Sequence, residues 1–214
     1  MLRAGEGWPE HRLPSWVHRQ LERNGVCIVG CPLADDGVAE AVASVVEPGN
    51  GGYRNIANLL GQPQEESLRS ARRLTATEQP LKAAFARRLV ALGLQRGRKN
   101  VMAEHPTEVT DGITAVRAWP DCPQQYDHCD RAAEGSLQKK PLSQVSLVAL
   151  LALEEDTRLV VNHREVCLAP GEMIIFRGDL CHAGAGYVRC NTRLHVYLDP
   201  LGSRMSTQLH GCVA

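Results

Sequence analysis

From Gly112 onward the chain is cut at regular intervals into short apolar and β-branched runs, and this limits the possible folds more than any other feature. The runs are ITAVRAW at 113–119, QVSLVALLAL at 144–153, TRLVV at 157–161, REVCL at 164–168, EMIIF at 172–176 and RLHVYL at 193–198. Each is rich in strand-forming residues and bounded by turn signals. Asn162-His163 stands where a two-residue hairpin turn belongs, and Pro170-Gly171 separates the next pair of runs. Short strands spaced in this way predict an antiparallel sandwich or barrel of the jelly-roll sort.

The first 100 residues read differently. Residues 13–23 place Leu13, Trp16, Val17 and Leu21 on one helical stripe, and Asn24-Gly25 stops it. A strand is expected at 26–29, then a turn at Pro32 and a helix start at Asp35-Asp36 leading into VAEAVASVV. Pro80 opens a further helix with Leu81, Phe85, Leu89 and Leu92 on its apolar side. The fold class is therefore α+β, with N-terminal helices packed on a β-barrel. At 214 residues one domain is the economical reading: 1–100 mainly helical, 101–200 the barrel core and 201–214 a C-terminal tail.

Lys+Arg and Asp+Glu are both 24, so no net field recommends nucleic acid or an acidic membrane. The positive charge is instead local. Between Ser67 and Lys99 nine residues are basic, from Arg69 and Arg72 through Arg87 and Arg88 to Lys99, and only Glu78 is acidic. A solvated face is the ordinary reading of such a run, and an anionic partner, nucleic acid included, is the sharper one. The eight cysteines show no disulfide-framework spacing, and Cys27 and Cys167 fall inside apolar runs. With no secretory segment, this argues for a reducing, intracellular compartment, cytoplasmic or nuclear. No apolar run approaches the length of a membrane span, so no membrane partner is expected. The Gly- and Asn-rich stretch 49–62 reads as a surface loop in which Tyr53, Arg54 and Asn55 could reach over a substrate mouth.

The chemistry-bearing residues cluster in the barrel half. Alternation along a strand turns His128 and Asp130 to one side and Cys129 to the other. His182 lies far enough on for another strand to bring a second imidazole back to the same place. Two His and one carboxylate leave adjacent coordination positions open, an arrangement suited to iron(II). In RLHVYL the set Arg193, His195, Tyr197 shares one face and the set Leu194, Val196, Leu198 the other. The apolar set belongs against the outer helices or a second sheet, which turns Arg193 into the barrel. A buried guanidinium there calls for an anion, and a dicarboxylate whose other end chelates the metal satisfies both. Cys129 and Cys181, turned away from the metal by alternation, are read as packing residues, and His163 as a solvent-exposed turn residue.

In these residues the sequence resembles the 2-oxoglutarate-dependent iron(II) dioxygenases of the double-stranded β-helix fold. The matching positions are His128-Cys129-Asp130, His182 and Arg193, with further likeness in LAPGEMIIFRGDLCHAGAGY at 168–187. The opening helix, Asn-Gly stop, strand and helix is similar to the phytanoyl-hydroxylase-like branch, and methylcytosine dioxygenases share the HxD…H…R pattern. The resemblance implies Fe(II) held by His128, Asp130 and His182. It also implies 2-oxoglutarate anchored by Arg193 with His195 beside it, O2 as oxidant, and hydroxylation of a substrate as 2-oxoglutarate is decarboxylated to succinate. His195 stands where many relatives have a small hydroxyl residue, so another reductant such as ascorbate is an alternative co-substrate. The anchoring lysine of prolyl-hydroxylase-like members is absent. Tyr126, Trp119 and Arg117 are candidates for lining the cavity beside the loop residues 53–55. The expected substrate is a small molecule or an amino-acid side chain. The alternatives are a nucleic-acid base, through the basic segment 69–99, and a non-enzymatic jelly-roll or cupin-like binding protein.

Overall fold

The computed structural model describes residues 15–33, 37–47, 52–55, 68–94, 113–129, 140–198 and 210–211. Three α-helices are described: α1 (Ser15–Asn24), α2 (Val38–Val46) and α3 (Gln79–Ala91). The strands are β1 (Val26–Gly30), β2 (Arg54–Asn55), β3 (Arg69–Arg73), β4 (Thr114–Ala118), β5 (His128–Cys129) and β6 (Leu147–Ala152). They continue as β7 (Thr157–Val161), β8 (Arg164–Leu168), β9 (Glu172–Arg177), β10 (His182–Gly184), β11 (Asn191–Leu198) and β12 (His210–Gly211). They form two antiparallel sheets, a large one ordered β1-β9-β6-β11-β4-β3-β2 and a small one ordered β12-β5-β10-β7-β8. This is the α+β double-stranded β-helix expected from the barrel half.

Local chemistry accounts for the connections. Asn162 and His163 both adopt positive φ, at 48° and 60°, the backbone of a two-residue turn that matches strand twist, and β7 pairs with β8 directly across it. Gly171, at φ 82°, turns the chain from β8 into β9, and a Cβ there would lie 3.1 Å from the Cys31 carbonyl oxygen.

The large sheet is covered on both faces, so β6 is buried at every position and shows no polar alternation in sequence. Its odd-numbered side chains, Leu147, Ala149 and Leu151, face outward. They join Leu194, Val196 and Leu198 of β11 against Val17 and Leu21 of α1, Val45 of α2, and Leu81, Phe85 and Leu89 of α3. Its even-numbered side chains, Val148, Leu150 and Ala152, face inward. There they meet Ile174 and Phe176 of β9 and Leu159, Val161 and Leu168 of the small sheet. Each fully buried Leu, Val or Ile in these layers contributes about 1.5–3 kcal/mol.

Two features differ from the sequence reading. The strand expected at 26–29 is β1, and two further strands of the first 100 residues, β2 and β3, were not expected and also enter the large sheet. The basic segment is also not simply a solvated face. Arg69–Arg73 is a strand, and Arg69 and Arg72 are buried because each reaches polar partners inside the protein. Arg69 Nη2 donates to the carbonyls of Pro123 (2.7 Å), Gly184 (3.2 Å) and Ala185 (2.7 Å). Arg72 forms a two-pronged pair with Glu78, the lone acidic residue of the segment, at 2.7 and 2.5 Å. On α3, Arg87 is exposed, and Arg88 Nε donates to the Gly30 carbonyl at 2.6 Å. Arg96, Arg98 and Lys99 lie outside the described residues. The Asp35-Asp36 helix start also lies outside them, and the N-cap of α2 is Gly37. The described cysteines form no disulfide with one another, and no helix among the described residues is long and apolar enough to cross a membrane.

Candidate metal and co-substrate site

His128 opens β5 and His182 opens β10, and the ladder pairs them directly. Their rings lie 4.5 Å apart between centroids, and the His182 ring also lies 4.8 Å from Phe176 of the inner core. Both histidines are therefore on the inward face of the small sheet, and both are buried. Each ring is oriented by the backbone just before it: His128 Nδ1 to the Tyr126 carbonyl at 2.8 Å, His182 Nδ1 to the Leu180 carbonyl at 3.0 Å. A carbonyl oxygen only accepts, so each Nδ1 carries a proton, and in the neutral imidazole each Nε2 then carries the lone pair. Metal-ligating histidines are oriented in this way. Asp130, the expected carboxylate ligand, lies outside the described residues.

Arg193 stands on β11 between Val116 of β4 and Ala152 of β6. It shares the inward face with Tyr197, which packs against the inner core, whereas Leu194 and Val196 belong to the outer one. The residue is 4% exposed, its guanidinium lies 5.8 Å from the Tyr187 ring centre, and its Nη1 is buried with no hydrogen-bond partner. Leaving a guanidinium in such a position without an anion is unfavourable by several kcal/mol on the order given by ion desolvation. His195, half-buried on the same face, packs edge-on against Tyr197 at 4.6 Å. The donor set fits the expected groups: two imidazole lone pairs for a divalent metal, and an unsatisfied buried cation for a carboxylate.

The other sequence candidates are placed elsewhere. Arg117 pairs with Thr192, not Arg193, and so points out of the barrel. Its Nη2 donates to the Val45 and Glu47 carbonyls at the end of α2, at 2.6 and 3.1 Å, and its Nε to Thr192 Oγ1 at 3.1 Å. Trp119 lies on the same outer side, with its indole N–H on Ser70 Oγ at 2.7 Å and its ring edge-on to Tyr53. Arg117 and Arg72 sit over the Tyr53 ring at 4.4 and 5.0 Å. Burial raises the Tyr53 phenol above its ordinary pKa, against the pull of Arg117 and Arg72. Arg117, Trp119 and Tyr53 thus form a cation–aromatic brace beneath α2, on the opposite face of the large sheet from Arg193. Arg54 is exposed on edge strand β2, and the Asn55 side chain lies outside the described residues. Tyr126 is 64% exposed beside His128 and is the lining candidate that stands next to the histidine pair.

The sequence reading passed over the brace behind His182. Gln125 exchanges two hydrogen bonds with Gly184, its backbone N–H to the Gly184 carbonyl and its Oε1 from the Gly184 N–H, both at 2.9 Å. Arg69 completes the support from the opposite sheet. A Cβ on Gly184 would lie 2.4 Å from Gln125 Oε1 and 2.9 Å from Arg69 Nη1, which gives the glycine of His182-Ala183-Gly184 a physical reason. That close approach was the available signal.

No protein-family model matches the chain, and no curated protein sequence matches it. Solved structures do. The fold is that of the 2-oxoglutarate–Fe(II) oxygenases, and the likeness extends over most of the chain. An oxidoreductase of the 2OG-Fe(II) oxygenase family from Burkholderia pseudomallei aligns with a TM-score of 0.55 at 13% identity, covering 97% of this chain and 96% of its own. A Trichoplax adhaerens prolyl hydroxylase, solved in complex with a hypoxia inducible factor oxygen degradation domain peptide fragment, aligns with a TM-score of 0.52 at 12% identity over 87% of each chain. These structures do not support the phytanoyl-hydroxylase-like or methylcytosine-dioxygenase-like branch expected from the sequence.

Proposed function

We propose that the protein is a non-haem Fe(II)- and 2-oxoglutarate-dependent dioxygenase that hydroxylates a small molecule or an amino-acid side chain, with succinate and carbon dioxide as co-products. The observation that carries this reading is the combination of a cross-strand histidine pair, each Nδ1 held by a backbone carbonyl, and the buried Arg193, whose guanidinium has no hydrogen-bond partner among the described residues. His128, His182 and Asp130 would hold the metal, and Arg193 the far carboxylate of 2-oxoglutarate. When bound, iron would supply the chemistry that activates O2, the oxidant, with 2-oxoglutarate as the co-reductant.

The chain's own residues bind, orient and exclude water. The Tyr126 and Leu180 carbonyls hold the two imidazoles in the ligating tautomer. Phe176, Leu150 and Val161 wall the inner layer and keep it dry, which strengthens the Arg193–carboxylate attraction. His195 is positioned to set the shape of the co-substrate end, and exposed Tyr126 to meet substrate at the mouth. A nucleic-acid substrate is a weaker reading, because Arg69 and Arg72 of the basic segment are engaged inside the protein. The test is iron-dependent conversion of 2-oxoglutarate to succinate. Turnover is expected in the native chain and lost in His182→Ala, and an iron-loaded protein that neither binds nor consumes 2-oxoglutarate refutes the assignment.

A further inference from the structure

We propose that Asp127, His163 and Cys181 form a second divalent-metal site, of zinc type, on the solvent side of the small sheet behind the histidine pair. One ligand atom from each of the three lies within 4.8 Å of the other two. A tetrahedral zinc with bonds near 2.0 Å to N and O and 2.3 Å to S needs ligand separations of about 3.5 Å, so side-chain rotations of about an ångström close the site. Each ligand is held by backbone already described. His163 is the second residue of the β7–β8 turn, at φ 60°, and its side chain is 76% exposed, which puts the cluster on the solvent side. The Asn162 N–H donates to the Cys181 carbonyl at 3.0 Å, fastening Cys181 to that turn. Asp127 and Cys181 immediately precede His128 and His182, whose inward rings leave the preceding residues to the outer side.

The carboxylate supplies a second, independent observation. Asp127 Oδ2 pairs with His163 Nδ1 at 2.8 Å, while Asp127 Oδ1 is buried with no hydrogen-bond partner. A buried carboxylate oxygen lacking a donor is unfavourable, and a bound cation satisfies it. One thiolate, one imidazole and one carboxylate form a borderline-soft set that favours zinc over magnesium or calcium, with water at the fourth position. The two sites are then back to back: the outer ion ties the residue before β5 to the residue before β10 and to the β7–β8 turn, and so braces the strands that carry His128 and His182.

Co2+ is the probe, because a thiolate ligand gives it a sulfur-to-metal charge-transfer band that the histidine–carboxylate set of the inner site cannot produce. The outcome is therefore independent of the dioxygenase reading. The full chain, purified metal-depleted and titrated with Co2+ past two equivalents, should show this band rise to saturation, and excess Zn2+ should erase it. The band should disappear in Cys181→Ser, persist in Cys129→Ser, and require at least about tenfold more Co2+ in His163→Ala, a turn substitution that circular dichroism should show to be folded. Absence of the band in the native chain, its persistence in Cys181→Ser, or unchanged Co2+ affinity in His163→Ala overturns the site.

Discussion

The two faces of the large sheet both bury arginine, and they treat it differently. On the outer face Arg117 closes the end of α2 with two hydrogen bonds and ties to Thr192 of β11 with a third, and Arg72 is locked to Glu78. On the inner face Arg69 is tied to three carbonyls, whereas the Arg193 guanidinium, its Nη1 buried, has no hydrogen-bond partner among the described residues. A guanidinium tied to the protein's own acceptors is part of the scaffold, even where a single N–H stays unmatched, as at Arg72 Nε and Arg117 Nη1. One that is buried and held by none of the protein's described acceptors is ready for something that is not part of the chain. The difference teaches that burial of charge alone does not mark a functional site; the identity of the counter-group does.

Substitutions on the two faces should therefore separate stability from binding. The largest stability effect is expected from Glu78→Ala, which strands Arg72 in the interior and should lower the unfolding free energy by about 3–5 kcal/mol in denaturant titration. The same pair makes stability pH-dependent. Burial raises the Glu78 carboxyl, but the Arg72 hydrogen bonds and the Thr75 N–H outweigh it and leave the pKa below the ordinary carboxylate value. The native pKa being the lower one, the stabilisation is fully present above the unfolded carboxylate range and is lost as pH falls through the depressed native value. Glu78→Gln should flatten that acid limb.

Next in size, Arg117→Met removes the hydrogen bonds to the α2 carbonyls and should cost about 2–3 kcal/mol, with no change in 2-oxoglutarate affinity. A loss of co-substrate binding in this variant would break the comparison. Gly184→Ala forces Gln125 or Arg69 to shift and should cost about 1–3 kcal/mol by thermal or denaturant unfolding. The smallest stability effect belongs to Arg193→Met, whose metal-free form should be as stable as the native chain, or more so by about 1 kcal/mol, because an uncompensated buried charge is gone.

The sequence carried the barrel strands from β4 to β11, because Asn162-His163 and Pro170-Gly171 punctuate them and their apolar content is high, but not β12, which lies in the expected C-terminal tail. It did not carry β3, since Arg69–Arg73 reads as a charge run until the carbonyls and Glu78 that neutralise it are brought in from distant positions. The inward set Arg193, His195, Tyr197 was legible because its strand is long and one face is wholly apolar. Arg117 and Trp119 were not, because their direction depends on the β4–β11 register. Thr192 rather than Arg193 stands opposite Arg117, and a slip of one residue would reverse every side chain on the strand. The His128–His182 pairing was legible as spacing, but the carbonyls that fix both tautomers, and the clasp of Gln125 and Arg69 behind Gly184, depend on loops with no periodic signal.

The most direct measurement is the dissociation constant of 2-oxoglutarate for iron-loaded protein, native and Arg193→Met, taken beside the unfolding stability of each metal-free chain. The expected result is saturable binding in the native protein, weakened at least about thirtyfold in the variant as a charge-paired carboxylate contact is lost, with stability held or raised. Equal affinity in the two proteins, or no binding in either, would contradict the role assigned to Arg193 and with it the oxygenase reading.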